Sequence, residues 1–552
     1  MPNTSKNRVL LSPKKILIIA AIAFIVAIIV RRCEPPDVPN LLISFDSQIR
    51  INKEDWLSDA EKISWKKNCE DNWDKKENGV SGNIDDLESY ITECSRDAEA
   101  GIYYNNFQAG EKAEKTNNST IKLAASVPIS RENGVFDSIE VLKGIELAQR
   151  KINQNGGIKI GEQTIFLEIG IIDEGWNVPP NVPPVDKIDN WSSKTDKNKQ
   201  RTISELVAIS AINSDVVGTI GHFSSDAIEA AAPIYNNKLI AISPTSTAIR
   251  QLNNTNKIKD FLGKWLTIGK KSNNNRFLDL NNYVFRTAPN DAVAIDRLKS
   301  EYIDLNSKDI NQIIIVYDET SKYSLLYREE LKKQLGNKII NEDNCGFKFD
   351  DRGHLDPMEI NNCANNIARY EPNALILVLS TANVSKLKSL IKIDGKNIDF
   401  FQTVEDRAGY LPKLIGSDSL YNEQYLDEGT VVSVAMEKKK QTFPTAIENL
   451  EKGYETIEVN WVTSTAYDAV IAIAEGIKNS TKCSQNDSIS KCRQQIQKSL
   501  SSQKFVADGM LGKNSIRFEN GDRQVLEDND SLAVILIVKD NSFVSIEANS
   551  NQ

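Results

Sequence analysis

Two stretches of this chain set small hydroxyl residues directly after apolar runs, a pattern suited to holding a ligand. The first is VVGTIGHFSSDAIEAAAPIY, residues 216–235. Its apolar run, Val216–Ile220, breaks at Gly221-His222. Phe223, Ser224, Ser225 and Asp226 follow, ahead of a small-residue helical pattern. Ser and Asp are strong helix N-caps, and a helix start presents free N–H groups at the positive end of its dipole. Such a terminus accommodates a carboxylate or a phosphate. The second stretch, LIAISPTSTAIR, stops its apolar run at Pro244 and then offers three hydroxyls, on Thr245, Ser246 and Thr247. Open α/β sheets place ligands outside the carboxyl ends of their strands, where both loops fall. The alternative role for Ser224, Ser225 and Thr247 is simple helix capping.

Residues that would support catalysis are sparse. The chain has no GxSxG, GxxxxGK[ST] or HExxH, and no GxGxxG after a strand. Asp173-Glu174 and Asp318-Glu319 follow apolar runs but have no matched acid and base nearby. Two histidines in 552 residues disfavour a His-based metal or acid–base centre. A net charge of −9 gives no basic footprint for nucleic acid. The reading is a binding protein, not an enzyme, with no cofactor, no metal and no nucleic-acid partner.

The elements that would position these loops start at Ile121. IKLAASV reads as a strand, and Val141, Leu142, Ile145, Ala148 and Ile152 line one face of a helix that stops at Asn155-Gly156-Gly157. IFLEIGIID is the next strand and ISELVAISAI the next helix. VVGTI, LIAIS, QIIIVYD, ALILVL and DFFQT read as further short apolar strands, as expected for strands covered on both faces. The fold class is α/β: two doubly wound parallel-sheet lobes joined by a hinge, preceded by a membrane helix and a small α-helical segment. Lobe 1 is expected over 120–284 and lobe 2 over 285–430, with return segments at 431–552 completing both and ending in a tail. Trp176–Gln200 and Gln251–Asn281 read as surface loops.

Upstream, residues 1–33 read as a cytoplasmic tail and a transmembrane anchor. Ile16–Val30 is uncharged and wholly apolar, between Lys14-Lys15 and Arg31-Arg32. Fifteen helical residues span about 22 Å, and snorkelling Lys and Arg make up part of the difference to a hydrocarbon core of about 30 Å. No small-residue cleavage site follows, as a signal peptide would require. The arginines before Cys33 also differ from a lipoprotein acylation site. Lys6, Arg8, Lys14 and Lys15 place the N-terminus in the cytoplasm and residues 34–552 outside, periplasmic in a Gram-negative-type cell. Residues 34–119 comprise a Pro-rich exit, a helical stretch from Asp55 to Ala109 and a polar linker at 110–119. Seven cysteines include three local couples: Cys69 with Cys94, Cys345 with Cys363 and Cys483 with Cys492. In an exported chain these point to disulfides, the alternative being free thiols.

Several motifs, in this order, resemble the leucine/isoleucine/valine-binding-protein family of ABC-transporter receptors, of type I periplasmic-binding-protein-like fold. They are IKLAASVPIS with LKGIELAQRKINQNGGI, IGHFSSDAIEAAAPIYNNKLIAISPTST, FRTAPND, IIIVYDETSKY, TAYDAVIAIAEGI and GMLGKNSIRFENGDR, spread from about Ile121 to Val544. GGI, FRTAPND, YDAV and ENGDR are read as maintaining the fold. The resemblance implies a small amphoteric ligand, an amino acid or similar, captured between the lobes for uptake through an ABC permease or for sensing. By the same resemblance Ser225 and Thr247 hold its carboxylate, flanked by Ser224 and Ser246, and a carbonyl near Thr245 receives its ammonium. Tyr323 covers the ligand, and Glu405 in DFFQTVEDRAG, with Asp406 next in order, pairs with the ammonium from lobe 2. Phe136 either roofs the pocket or packs in the core. Ser380-Thr381 replaces the family's aromatic after ALILVL. Ser224 stands where the type protein has a Cys, so the usual first-lobe disulfide is missing. IDDLESYITECSRDAEAGIYYNNFQAG resembles a single tetratricopeptide-type helical pair. Anchored lipoprotein activators of peptidoglycan synthases join such helices to this fold, so the competing reading is an envelope scaffold that contacts protein partners.

Overall fold

In the computed structural model of the chain, the described residues are 66–129, 134–175, 196–250, 280–340, 345–349, 355–380, 383, 387, 391–393, 396–421, 427–446, 454–483, 487–525 and 532–546. The chain divides into two units, Met1–Asn40 and Leu41–Gln552. The first, with the apolar run Ile16–Val30, lies outside the described residues, and all elements below belong to the second. Among the described residues no helix is long and apolar enough to cross a membrane.

Four helices open the described chain: α1 (Lys66–Asp71), α2 (Trp73–Val80), α3 (Ile84–Glu93) and α4 (Ala98–Thr116). A Cys69–Cys94 disulfide ties α1 to the end of α3. Asp97 caps α4 by accepting from the Ala100 N–H, and it also accepts from Tyr90 and from the buried Lys76 ammonium at 2.9 Å each. Lys76 is wholly buried, and Glu99 at 3.0 Å completes its compensation. A buried ammonium persists only when paired in this way.

The sequence reading fails for residues 110–119. The expected polar linker continues α4 to Thr116, and the first strand starts at Ser119. Ala109 and Ala113 turn inward onto Phe166, while the charges of Glu111, Lys112, Glu114 and Lys115 are displayed on the other face. Asn106 of α4 clips the helix to the neighbouring sheet, donating to the Ile169 carbonyl and accepting from the Ile169 N–H, both at 2.8 Å. The helical segment is therefore built into the first lobe.

The first lobe's six-stranded sheet comprises β1 (Ser119–Val127), β2 (Ile158–Ile160), β3 (Gln163–Asp173), β4 (Val216–Ile220), β5 (Ile240–Ser243) and β6 (Val284–Arg286), in the order β2-β3-β1-β4-β5-β6. All its pairings are parallel except β2 with β3. Helices α5 (Gly134–Gln154), α6 (Asp196–Asn213) and α7 (Ser225–Tyr235) connect these strands. Asp196–Gln200, expected at the end of a surface loop, begins α6; residues 176–195 and 251–279 are outside the described set.

Chain direction then carries α8 (Asp291–Leu298) into the second lobe. Its sheet contains β7 (Ile313–Asp318), β8 (Gly346–Phe347), β9 (Ala374–Val378), β10 (Lys413–Gly416), β11 (Val431–Met436), β12 (Leu532–Lys539) and β13 (Ser542–Ser545). The order is β13-β12-β11-β10-β9-β7-β8, parallel from β8 to β11 and antiparallel beyond. Helices α9 (Lys322–Leu335), α10 (Pro357–Tyr370) and α11 (Phe400–Ala408) connect it. Cys345–Cys363 joins β8 to α10.

DFFQT, expected as a strand, is the start of α11. Asp399 caps it by accepting from the Gln402 N–H at 3.1 Å, and Phe400 and Val404, four residues apart, are its buried pair. Burial at i and i+4 is a helical spacing, which the Phe doublet masks in sequence. The strand of this region is β10, ten residues further on.

The chain then returns. Helix α12 (Trp461–Lys478) packs along α5 of the first lobe, and Cys483–Cys492 links the end of α12 to α13 (Ile489–Leu500). The α5–α12 crossing depends on Gly144. A Cβ there would lie 2.9 Å from both Ala466 Cβ and the Tyr467 nitrogen. YDAV and ENGDR meet behind it. Asp468 pairs with Arg523 at 2.5 Å, both fully buried, and accepts from the Met510 N–H at 2.6 Å. Arg286 of FRTAPND takes Asp522 bidentately at 2.8 and 3.0 Å. These motifs tie β6 to the returning chain.

Candidate functional site

The β4–α7 and β5–β6 connections come together at one end of the first sheet. Ser224 caps α7, its hydroxyl accepting from the Ala227 N–H at 3.2 Å. Ser225 does something else: its hydroxyl meets that of Ser246 at 2.9 Å, and accepts from the Ala248 N–H at 3.4 Å. Thr245 donates to the Phe223 carbonyl, and Ser243 to the His222 carbonyl at 2.6 Å. The two loops are thereby stitched into one hydroxyl-rich surface.

Beneath that surface is a buried polar brace that sequence reasoning missed. Glu174 Oε1 accepts from the Phe223 N–H at 2.8 Å. Its Oε2 accepts from Ser126 at 2.8 Å and lies 2.6 Å from His222 Nδ1. His222 Nε2 reaches the Tyr235 hydroxyl at 3.0 Å. His222 is wholly buried and stands outside the cleft lining, so this group positions the loop from below. No local pattern signals it, because Glu174 and His222 stand 48 positions apart in sequence.

From the second lobe, Tyr323 on α9 and Asp418, just past β10, face the same surface. The Tyr323 hydroxyl donates to Asp418 Oδ1 at 2.9 Å, and Thr247 reaches Asp418 Oδ2 across the cleft at 3.5 Å. Lys322 of the second lobe pairs with Glu229 of the first. Between these bridges an open cleft encloses about 820 Å³, including space open to solvent. Ser224, Ser225, Thr245, Thr247 and Tyr323 line it, with Phe223, Asp418, Ser419 and Trp461 among their neighbours.

Two expected residues are not part of this arrangement. Glu405 is exposed on α11 and does not line the cleft, as is true of Asp406. The physical reason is that Glu405 sits on the outer face of a helix, whereas the carboxylate that follows the strand of this region is Asp418. Ser246 stands one layer back, buried, holding Ser225. Phe136 lies in the first turn of α5, its side chain outside the described residues. Ser380 lines the cleft, and Thr381 is outside the described set.

The electrostatics of the cleft are acidic. Burial lifts the Asp418 carboxyl to about 6, although Tyr323, the Ser419 N–H and Thr247 each donate to it and pull it down. Burial also pushes the Tyr323 phenol well above its ordinary value, with Asp418 and Asp291 adding to the effect. Asp137 and Asp226 line the cleft as well, and no Lys or Arg does among the described residues. Hydroxyls and a helix start on one side with a carboxylate and a phenol on the other suit a ligand carrying an anionic and a cationic end. Among the described residues no cluster of three or more His, Cys, Asp or Glu could hold a metal ion.

No protein-family model and no curated protein matches the chain. Solved structures do. An ABC-transporter substrate-binding protein from Desulfitobacterium hafniense, in complex with Leu, is 17% identical, with 77% of this chain and 100% of that one covered at a TM-score of 0.48. A leucine-binding protein from Thermotoga maritima is 15% identical over 77% and 97% of the two chains, TM-score 0.47. A branched-chain amino-acid transporter substrate-binding protein from Streptococcus pneumoniae, in complex with isoleucine, is 14% identical over 77% and 99%, TM-score 0.48. These structures are of the group that the sequence motifs resemble, the type I periplasmic-binding-protein-like fold.

Proposed function

We propose that this chain is a solute-binding protein that captures a small amphoteric ligand, an amino acid or similar, between its two lobes. One observation carries the reading: the cleft sets Ser225 at the start of α7, with Thr245 and Thr247 from the loop after β5, opposite Asp418 and Tyr323 of the other lobe. A carboxylate is received by the Ser225 and Thr247 hydroxyls beside the start of α7, where the helix dipole favours an anion. An ammonium is received by Asp418, which takes the part that the sequence motif gave to Glu405. Charge-assisted hydrogen bonds at both ends contribute about 1.5–3 kcal/mol each, enough for micromolar binding after ordering costs. A ligand bonded to both lobes favours their closure, the hinge mechanism of such receptors.

The ligand-bound form then serves an ABC permease or a sensing partner. The apolar run Ile16–Val30 between basic flanks supports single-pass anchoring, with the cleft outside the cytoplasm. The three local disulfides fit an oxidising compartment. Thermal melting with an amino-acid panel tests the reading, because a ligand at 100 times its Kd stabilises by about 2.7 kcal/mol. A saturable shift with at least one amino acid is expected, and no shift across the panel would overturn it. Protease treatment of intact spheroplasts tests the topology: residues 34–552 should be digested, and protection would contradict the anchor.

A further inference from the structure

A second recess lies beside the cleft and shares Thr247 and Asp418 with it as a wall. It encloses about 250 Å³, including its open side, and is lined also by Asp291, Tyr327 and Ser433. Asp291 is 2% exposed and Tyr327 1%. Asp291 Oδ2 and the Tyr327 hydroxyl, both buried, have no hydrogen-bond partner in the protein. Buried polar atoms of native proteins nearly always have one, so a matched pair of orphans on one recess calls for an occupant.

Asp291 is only partly accounted for: its carboxyl shares the Thr247 hydroxyl with Asp418, and its Oδ2 is left without a partner. The capping of α8 falls to Asn290, whose side chain accepts from the Ala292 and Val293 N–H groups at 3.1 and 3.4 Å. The bond from FRTAPND to the returning chain falls to Arg286, already bidentate with Asp522. Among the described residues no Lys, Arg or His lines the recess. Two carboxylates therefore face it with no cation of the protein between them.

We propose that this recess is a second cation subsite, holding one compact monovalent cation between Asp291 and Asp418. The hydroxyls of Thr247, Ser433 and Tyr327 add oxygen donors, and the rest of the wall is apolar, from Pro289, Ala294, Val434 and Ala435. Oxygen donors suit Na⁺ or an ammonium group and disfavour the softer transition metals. Two carboxylates are few for a divalent ion such as Ca²⁺, which takes six to eight oxygens, usually with more acid groups. The cation comes from one of two sources: free Na⁺, or the side-chain ammonium of a dicationic amino acid whose α-amino group faces the cleft. Either way it offsets the repulsion between the carboxylates and fixes Asp418 at the wall of the ligand cleft. Only the second source rests on the proposed solute-binding reading.

The test uses the intact protein, melted in choline chloride at constant ionic strength. One arm exchanges choline for Na⁺. The other adds lysine, ornithine or 2,4-diaminobutyrate, with leucine as the single-ammonium control. The subsite predicts a saturable rise in melting temperature with Na⁺, or at least tenfold tighter binding of a diamino acid than of leucine. It also predicts that Asp291→Asn abolishes the response, with Tyr327→Phe weakening it. If neither arm responds, or if folded Asp291→Asn responds as the wild type does, the subsite is wrong. Should Asp291→Asn fail to fold by circular dichroism, an undiminished response in Tyr327→Phe overturns it equally. A Na⁺ response with no shift across the full amino-acid panel sinks the solute-binding reading and leaves the subsite. Leucine binding with no response in either cation arm does the reverse.

Discussion

Asp418→Asn separates the charge of the cleft from its shape. Asparagine keeps the volume and still accepts the Tyr323 hydroxyl, 2.9 Å away, but removes the negative partner of an ammonium. The lost charge-assisted bond is worth about 1.5–3 kcal/mol, or roughly a 10- to 150-fold loss of affinity for a zwitterion. A simple carboxylate should bind as well as before or better, because a like charge has left the cleft. The pH dependence has a definite sign. With its carboxyl lifted to about 6, above the ordinary range, the folded protein takes up this proton more readily than the unfolded chain. That stability is fully present below the ordinary carboxylate pKa and is lost as pH rises through about 6. Asp418→Asn should therefore melt higher than wild type at pH 7.5, with the gap closing towards pH 4. Zwitterion affinity runs the other way in wild type, falling as pH drops below about 6, and the variant should lose that dependence. Isothermal titration at pH 7.5 and 5 with a zwitterion and its deaminated analogue reads all of this. If the variant binds the zwitterion like wild type, or loses both ligands equally, Asp418 is not the ammonium partner.

Ser225→Ala and Thr247→Ala should each weaken the carboxylate end by roughly 10- to 150-fold, whereas Glu405→Gln, an exposed position, should leave titration curves unchanged. Gly144→Ala should destabilise by about 1–3 kcal/mol by denaturant melting, since the added methyl meets α12; an unchanged midpoint would contradict the packing of α5 on α12. Non-reducing mass spectrometry of exported protein should show the mass deficit of three bridges, Cys69–Cys94, Cys345–Cys363 and Cys483–Cys492, and six alkylatable thiols among them would refute the pairing.

The alternation of strands and helices was legible because strands buried on both faces are written mostly in Val, Ile, Leu and Ala, as in β4, β7 and β9. The hydroxyl loops were legible for a related reason: Ser225 and Thr247 stand where apolar runs stop, and a strand that stops must expose its exit. Legibility ended where a local pattern served a distant partner. The charges of residues 110–119 signal solvent, yet Ala109 and Ala113 meet Phe166 more than fifty residues on. In DFFQTVEDRAG the paired aromatics imitate a strand, whereas the helix they open leaves Glu405 exposed. Asp418 follows a strand of only four residues, and nothing local distinguishes it from other surface carboxylates. Its meaning comes from Thr247, 171 residues away in sequence and 3.5 Å away in space.

The central claim is that one ligand is held by opposite charges on opposite lobes. Its most direct test is calorimetric titration at pH 7.5 with the tightest-binding amino acid of the panel, its deaminated acid and its decarboxylated amine. The account predicts measurable binding of the amino acid, with each half-molecule weaker by at least tenfold. Equal affinity for the amino acid and one of its halves, or heat from none of the three, would contradict it.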